Sequence, residues 1–90
     1  MNEAFIGLIQ GRVQGVGFRY FTRNKGLELK LTGWVRNLPD GSVEVMALGP
    51  RSSLEQFMHL LRTGPIGSRV ERTDFQWIQA PEKNEGFEIR

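Results

Sequence analysis

The stretch A-F-I-G-L-I-Q-G-R-V-Q-G-V-G-F-R, from Ala4 to Arg19, predicts a passage from strand to loop to helix. Residues Met1–Gln10 carry apolar side chains on both alternating faces, which indicates a strand in the middle of a sheet. The next segment, Gly11–Gly17, has three glycines in seven residues and is therefore predicted to be a loop. Apolar residues then recur at helical spacing, so we predict a helix from Phe18 to about Leu29.

Outward from this stretch, the chain continues to alternate between strand and helix signals. The turn Leu38-Pro39-Asp40-Gly41 joins two predicted strands, because proline presets φ and glycine accepts positive φ. An amphipathic helix is indicated by apolar residues at i, i+3, i+4 and i+7, namely Leu54, Phe57, Met58 and Leu61, and it is expected to end at Thr63-Gly64-Pro65. The strands predicted in this part are Leu31–Leu38, Ser42–Leu48, Val70–Ile78 and Phe87–Ile89.

The resulting order, β-α-β-β-α-β with a short C-terminal strand, is that of the split βαβ ferredoxin-like folds. We therefore expect an α+β protein, a ferredoxin-like α/β sandwich with two helices on one face of a mostly antiparallel sheet. The other face is expected to carry polar groups and a few aromatic side chains.

The second helix has two candidate starts, a capping box from Ser52 to Glu55 or Pro50 as the first helical residue. Gly26 either weakens the first helix by ~1 kcal/mol relative to alanine or permits close packing on the sheet.

Composition narrows the chemistry that this chain can perform. Its 90 residues are enough for a single domain, which we expect to span residues 1–90. The sequence contains no cysteine, which excludes disulfides, thiolate metal sites and a cysteine nucleophile. Since His59 is the one histidine, a multi-histidine metal centre within the chain is also excluded, and we expect neither a metal nor a cofactor. Because the sequence lacks a membrane-spanning apolar run and signal-peptide features, we expect a cytoplasmic protein and no membrane partner.

The charge balance favours a small anionic ligand over a nucleic acid. Lysine and arginine number 12 and the acidic residues 10, giving a net charge of +2 that is dispersed along the chain. Nucleic-acid binding usually requires a clustered basic face. An RNA-binding module of the same fold class remains an alternative, because the aromatic residues from Phe18 to Phe21 weakly resemble the octapeptide of RNA-recognition motifs. That octapeptide belongs on a strand, whereas these aromatics run into the predicted helix.

The glycine-rich loop is the first candidate site. Consecutive backbone N–H groups in such a loop can form a concave nest for an anion, and the positive end of the following helix adds to it. Arg19 lies in the first helical turn, where a cation is unfavourable to the helix dipole. A residue that breaks a local rule in this way is a candidate for function, and its guanidinium fork matches phosphate or carboxylate. The alternative is that the glycines only serve a tight turn and that Arg19 is solvated. The dinucleotide motif G-x-G-x-x-G fails at Tyr20, where a glycine is required.

The other polar candidates are less distinctive. Asn37 falls at a strand end, where asparagine commonly initiates a turn, although its amide could equally hold a water molecule. His59 lies opposite the apolar stripe of its helix and is predicted to be a solvated surface histidine. Ser52 and Ser53 resemble helix caps rather than nucleophiles, because no base is identifiable near them.

Two segments together, G-R-V-Q-G-V-G-F-R (Gly11 to Arg19) and G-W-V-R-N-L-P-D-G-S-V-E (Gly33 to Glu44), resemble the signature segments of the acylphosphatases. The resemblance extends over essentially the whole chain. It implies a metal-independent hydrolase that converts acyl phosphates to a carboxylate and inorganic phosphate, and it implies the same ferredoxin-like fold. It assigns phosphate binding to the loop and its arginine, and orientation of the attacking water to an asparagine. Those residues are here Gly15, Val16, Gly17, Phe18 and Arg19 for phosphate, and Arg19 and Asn37 for catalysis.

Two further expectations accompany the resemblance. A small acylphosphatase is expected to be a monomer whose partner is a small-molecule acyl phosphate. The alternative within the same family is a non-catalytic or carbamoyl-specific relative, since acylphosphatase-like domains also occur in larger carbamoyl-transferring proteins. The residues do not distinguish acetyl phosphate, carbamoyl phosphate and 1,3-bisphosphoglycerate as substrates.

Overall fold

The computed structural model describes residues 2–82 and 85–90, and these form two helices and one five-stranded sheet. The elements are β1 (Asn2–Arg12), α1 (Phe18–Glu28), β2 (Thr32–Asn37), β3 (Val43–Pro50), α2 (Arg51–Thr63), β4 (Arg69–Ile78) and β5 (Phe87–Ile89). This order confirms the predicted β-α-β-β-α-β arrangement with its short final strand. Met1, which the sequence placed in the first strand, lies outside the described residues.

The sheet has the strand order β4-β1-β3-β2-β5. Its neighbouring strands are antiparallel except for the parallel pair β2 and β5, so the predicted mostly antiparallel sheet is confirmed. Strand β1 lies between β3 and β4, as its apolar residues on both faces indicated. On one face of β1, Phe5 and Ile9 are completely buried in the core.

Both helices pack on the face of the sheet that carries Phe5. Helix α2 buries its predicted apolar stripe, in which Leu54, Phe57 and Leu61 are fully buried. The ring of Phe57 lies 6.2 Å from that of Phe5, which joins the helix to the central strand. Helix α1 buries Phe18 and Thr22, and the Thr22 hydroxyl donates to the Phe18 carbonyl at 2.8 Å. Neither helix in the described ranges is long and apolar enough to cross a membrane.

Gly26 allows α1 to approach β5 closely. A Cβ atom added at Gly26 would lie 2.6 Å from two ring carbons of Phe87, closer than such atoms can approach without a shift. Phe87 is itself 7% exposed and belongs to the core. Of the two sequence interpretations, close packing is therefore the one that the structure supports.

The opposite face of the sheet is more apolar than expected. Acidic and amide side chains are present there, as predicted, but apolar side chains of β1, β2 and β3 run between them, namely Ile6, Leu8, Trp34 and Met46. The Trp34 ring lies beneath the guanidinium groups of Arg36 and Arg90, at 5.3 and 5.0 Å from its centroid. These cations shield part of the indole from water.

The start of α2 differs from the predicted capping box. The helix begins at Arg51, and its N-cap is Pro50, which has extended backbone angles and makes no side-chain capping bond. Ser52 therefore lies inside the first turn and does not cap it. Strand β3 continues to Pro50, so the chain passes directly from strand to helix with no room for the predicted cap. Pro50, the alternative first residue of the helix, is instead its N-cap and lies one position before the first helical residue.

Strand β1 is longer than predicted because a β-bulge carries it past the first glycine of the loop. The register with β4 shifts between Gln10 and Gly11, and the strand ends at Arg12. Gly11 has φ of 126°, and a Cβ there would lie 2.1 Å from the Arg69 carbonyl oxygen. The bulge thus needs a glycine and directs the following loop toward the start of α1.

Candidate anion-binding site

The loop of residues 13–17 leads from the central strand β1 into helix α1. Gly15 and Gly17 have φ of 74° and 77°, the left-handed region that other residues rarely adopt. No heavy atom lies within 4 Å of where a Cβ would stand on either glycine, so their role is conformational. Among the described residues, the backbone N–H groups of residues 15–18 donate no hydrogen bond to the protein. The loop therefore offers four consecutive donors at the positive end of a helix.

Buried apolar side chains fix both ends of this loop. Val13 and Phe18 are each 1% exposed, and both belong to the core cluster. The side chain of Val16 packs against the same cluster between them. Because the anchors are buried, the loop backbone is held on the surface as a preformed shape rather than a flexible chain.

Gln14 ties the loop to the hairpin between β2 and β3. Its Nε2 donates to the carbonyl oxygens of Leu38 and Ser42, at 2.8 and 2.9 Å. These contacts bridge 24 and 28 positions of sequence and hold the loop beside the end of β2. The sequence analysis did not single out Gln14, because such a role depends on a long-range contact that local patterns do not reveal.

Arg19 is the second residue of α1 and lies at the cleft beside the loop. Its Nη1 donates a long hydrogen bond, 3.5 Å, to the backbone oxygen of Arg90. Within the described part of the chain, no aspartate or glutamate side chain forms an ion pair with Arg19. The first turn of α1 also lacks an acidic residue. Its positive charge is therefore available to an anion.

Asn37 ends β2, directly opposite Val43 of β3. Its Oδ1 is buried and, among the described residues, has no hydrogen-bond partner. An unpaired buried carbonyl oxygen is costly, typically ~1–3 kcal/mol, so its presence needs an explanation. A role in function, rather than in folding, would supply one.

A cleft of about 120 Å³ brings the polar candidates together. Its lining consists of Val13, Gly15, Gly17, Phe18, Arg19, Tyr20 and Asn37. Of the residues that the sequence analysis selected, only Val16 is absent from this lining, since its side chain turns to the core. Tyr20 was missed as a candidate, because it entered the sequence analysis only where it breaks a glycine motif.

The remaining polar candidates lie elsewhere. His59 is exposed on α2, as predicted, and it borders a broad shallow groove there together with the exposed Ser52. In the hairpin turn, hydrogen bonds from the Ser42 hydroxyl and then its backbone N–H hold the pKa of Asp40 below its ordinary value. Those bonds stabilise the turn that follows Asn37. Within residues 2–82 and 85–90, no three histidine or acidic side chains are grouped as metal ligands.

Comparison with known proteins agrees with this architecture. The sequence model of the acylphosphatase family matches residues 5–89. An acylphosphatase of Thermus thermophilus is 54% identical over 72 residues, covering 80% of this chain and 82% of that protein. One of Salinibacter ruber is 50% identical over 82 residues, covering 91% of this chain and 86% of that protein. The crystal structure of acylphosphatase from Bacillus subtilis superposes with a TM-score of 0.95 at 37% identity, covering 100% of this chain and 99% of that one.

Two helices on one face of a mixed five-stranded sheet define a ferredoxin-like α+β protein. The family match extends over nearly all of the chain, and relatives near 50% identity carry the same family name. This chain belongs to the acylphosphatase family.

Proposed function

We propose that this protein is an acylphosphatase that hydrolyses the carboxyl-phosphate bond of acyl phosphates to a carboxylate and inorganic phosphate. The observation that carries the proposal is the cleft itself. Unpaired backbone donors, the Arg19 cation, which no acidic side chain among the described residues pairs, and the side chain of Asn37 border the same small volume. Membership of the family, and coverage of most of each named relative, support the same activity.

The phosphate group is bound by the loop and by Arg19. Backbone N–H groups of Gly15, Val16, Gly17 and Phe18 donate to its oxygens, and the Arg19 guanidinium adds a two-pronged, charged donor. These donors are fixed before substrate arrives, because Val13 and Phe18 hold the loop in the core. Phosphoryl transfer depends mainly on such positioning and on stabilising charge over the equatorial oxygens.

Asn37 orients the attacking water. Its side-chain amide borders the cleft and hydrogen-bonds the water, so that a lone pair of the water oxygen is directed at phosphorus. The new phosphorus–oxygen bond forms as the bond to the carboxylate oxygen breaks, and the electron pair leaves with the carboxylate. Holding the water in line contributes to the rate by removing its orientational freedom before reaction.

The reaction needs little acid catalysis and no resident metal ion in this proposal. A carboxylate is a good leaving group, so no side chain has to protonate it. Arg19 and the loop donors supply the positive potential that Mg²⁺ supplies in kinases. Because the described lining of the cleft contains no carboxylate or histidine to act as a general base, a phosphate oxygen accepts the proton of the water.

The proposal also covers the domain organisation, the oligomeric state and the cellular location of the protein. We infer that residues 1–90 act as one domain and as a cytoplasmic monomer that requires neither nucleic acid nor membrane. Light scattering of the purified protein tests the monomer directly, since a mass twice that of the 10.3 kDa chain would contradict it.

The activity is tested with benzoyl phosphate as substrate in the presence of EDTA, and with p-nitrophenyl phosphate as a monoester control. We expect rapid turnover of the acyl phosphate, no effect of EDTA and no turnover of the monoester. Loss of activity in EDTA would contradict metal independence. No turnover of the acyl phosphate by folded protein would contradict the enzyme assignment and would leave anion binding as the function to titrate.

A further inference from the structure

Tyr20 is the one residue of the cleft lining that phosphate binding and water orientation leave without a role. It is 60% exposed, whereas Val13 and Phe18 of the same lining are buried and Arg19 and Asn37 are half-buried. An exposed aromatic side chain gains little for folding. Its place on the cleft, next in sequence to Arg19, makes a contact with ligand the natural explanation.

The cleft has a buried floor and an open rim. The floor contains the half-buried side chain of Asn37 and the buried side chain of Phe18. The rim contains the exposed ring of Tyr20. In an in-line displacement the water and the leaving group lie on opposite sides of phosphorus. With the water at the floor, the carboxylate and the acyl group attached to it extend outward past the rim.

Arg23 holds the Tyr20 ring in place. The guanidinium carbon of Arg23 lies 5.4 Å from the ring centroid, one helical turn further along α1. The Nε of Arg23 is buried without a hydrogen-bond partner among the described residues, so the side chain is packed rather than free in solvent. A ring restrained in this way loses less conformational entropy when a ligand packs against it.

We propose that Tyr20 is a specificity residue that packs against the acyl group, so that this site favours acyl phosphates with a planar aromatic acyl group over acetyl phosphate. The inference rests on the proposed acylphosphatase function. An offset or edge-on contact between two aromatic rings is available only to the aromatic substrate. Acetyl phosphate presents a single methyl group to the same surface and gains little from it.

The test compares kcat/KM for benzoyl phosphate and acetyl phosphate in the wild type, Tyr20→Ala and Tyr20→Phe. Tyr20→Ala should lower the value for benzoyl phosphate by about tenfold, the effect expected of one aromatic pair, and change acetyl phosphate less than about twofold. Tyr20→Phe keeps the ring and should retain the wild-type ratio. Leu27→Ala is the matched control, because Leu27 is 50% exposed on the same helix and does not line the cleft.

The outcomes separate this inference from the function on which it rests. The inhibition constant of inorganic phosphate should be the same in all four proteins, because the loop and Arg19 are untouched. An unchanged substrate ratio in Tyr20→Ala, or an equal loss for both substrates, would overturn the role of Tyr20 while leaving the enzyme assignment intact. Failure of the wild type to hydrolyse either compound would instead overturn the proposed function and the inference together.

Discussion

At the scale of single residues, Asn37 is the residue whose surroundings indicate a functional role most clearly. Its Oδ1 is buried without a partner among the described residues, a state that weakens the folded protein and that folding alone does not require. Arg19 is similar, since it places a cation in the first turn of α1 with no acidic neighbour there. Both residues are unfavourable for stability and favourable for binding an anion and a water.

The first prediction separates the role of Asn37 in rate from any role in folding. Asn37→Ala should lower kcat by about 10²–10³-fold, or ~2.7–4 kcal/mol, by analogy with loss of one oxyanion-hole donor. The inhibition constant of inorganic phosphate should change little. The free energy of unfolding in urea should not fall, because the Oδ1 makes no hydrogen bond to lose. A full kcat in the variant would contradict the water-orienting role.

The second prediction concerns Arg19, whose removal should weaken binding and rate together. Arg19→Ala should lower kcat/KM by at least about 10²-fold and raise the inhibition constant of phosphate, since a charged two-pronged donor is lost. Stability should rise by ~0.3–1 kcal/mol, the usual effect of removing a cation from a helix N-terminus. Arg72→Ala, an exposed arginine of β4, is the control. Equal losses in both variants would show a general charge effect and contradict a specific role.

At the scale of elements, the site depends on how the loop after β1 is joined to the β2–β3 hairpin. Gln14 makes that connection through two hydrogen bonds to carbonyl oxygens. Each carbonyl also accepts a backbone N–H, from Gly41 and Leu38 respectively, so the hairpin itself survives without Gln14. What Gln14 fixes is the distance between the phosphate-binding loop and Asn37.

The third prediction treats Gln14 as a positioning residue. Gln14→Met preserves length and bulk but removes both donors, and it should cost ~1–2 kcal/mol of stability. It should also lower kcat by about tenfold while changing phosphate inhibition less, because a misplaced water slows the reaction more than it weakens binding. Gln79→Met, an exposed substitution after β4, serves as the control. Unchanged kcat in Gln14→Met, with stability reduced, would assign the residue a structural role alone.

The fourth prediction concerns the contact between α1 and β5. Gly26→Ala adds a methyl group 2.6 Å from the Phe87 ring. The gain of ~1 kcal/mol in helix propensity is opposed by an overpacking cost of ~1–3 kcal/mol, so a net loss of about 1 kcal/mol is expected in urea unfolding. Asn24→Ala on the exposed face of the same helix should instead stabilise slightly. An equal gain in both variants would show that α1 can move away from β5 without cost.

At the scale of the whole molecule, the fold could be predicted where its patterns are local. The apolar residues on both faces of residues 4–9 indicated a central strand, and the stripe from Leu54 to Leu61 indicated an amphipathic helix. The predicted cap at Ser52 was wrong, because β3 runs directly into α2. The apolar character of the open sheet face was underestimated, since it emerges only when β1, β2 and β3 are brought side by side.

The site could be predicted only in part, for a physical reason. The glycine-rich loop could be recognised from its local composition. Arg19 could be recognised from its unfavourable position relative to the helix dipole. Asn37 alone was more typical of a simple turn, and its selection rested on the family resemblance. Gln14 and Tyr20 escaped notice because their roles depend on a hydrogen bond across 24 residues and on a cleft that exists only in the folded chain.

The central claim, that water held by Asn37 attacks phosphorus rather than the carbonyl carbon, is tested most directly by hydrolysing benzoyl phosphate in water enriched in oxygen-18. Mass spectrometry of the two products locates the new oxygen atom. Attack at phosphorus predicts that the label enters inorganic phosphate and that benzoate remains unlabelled. Label in benzoate would mean that the carbonyl carbon is attacked, and it would contradict the roles assigned to the loop, to Arg19 and to Asn37.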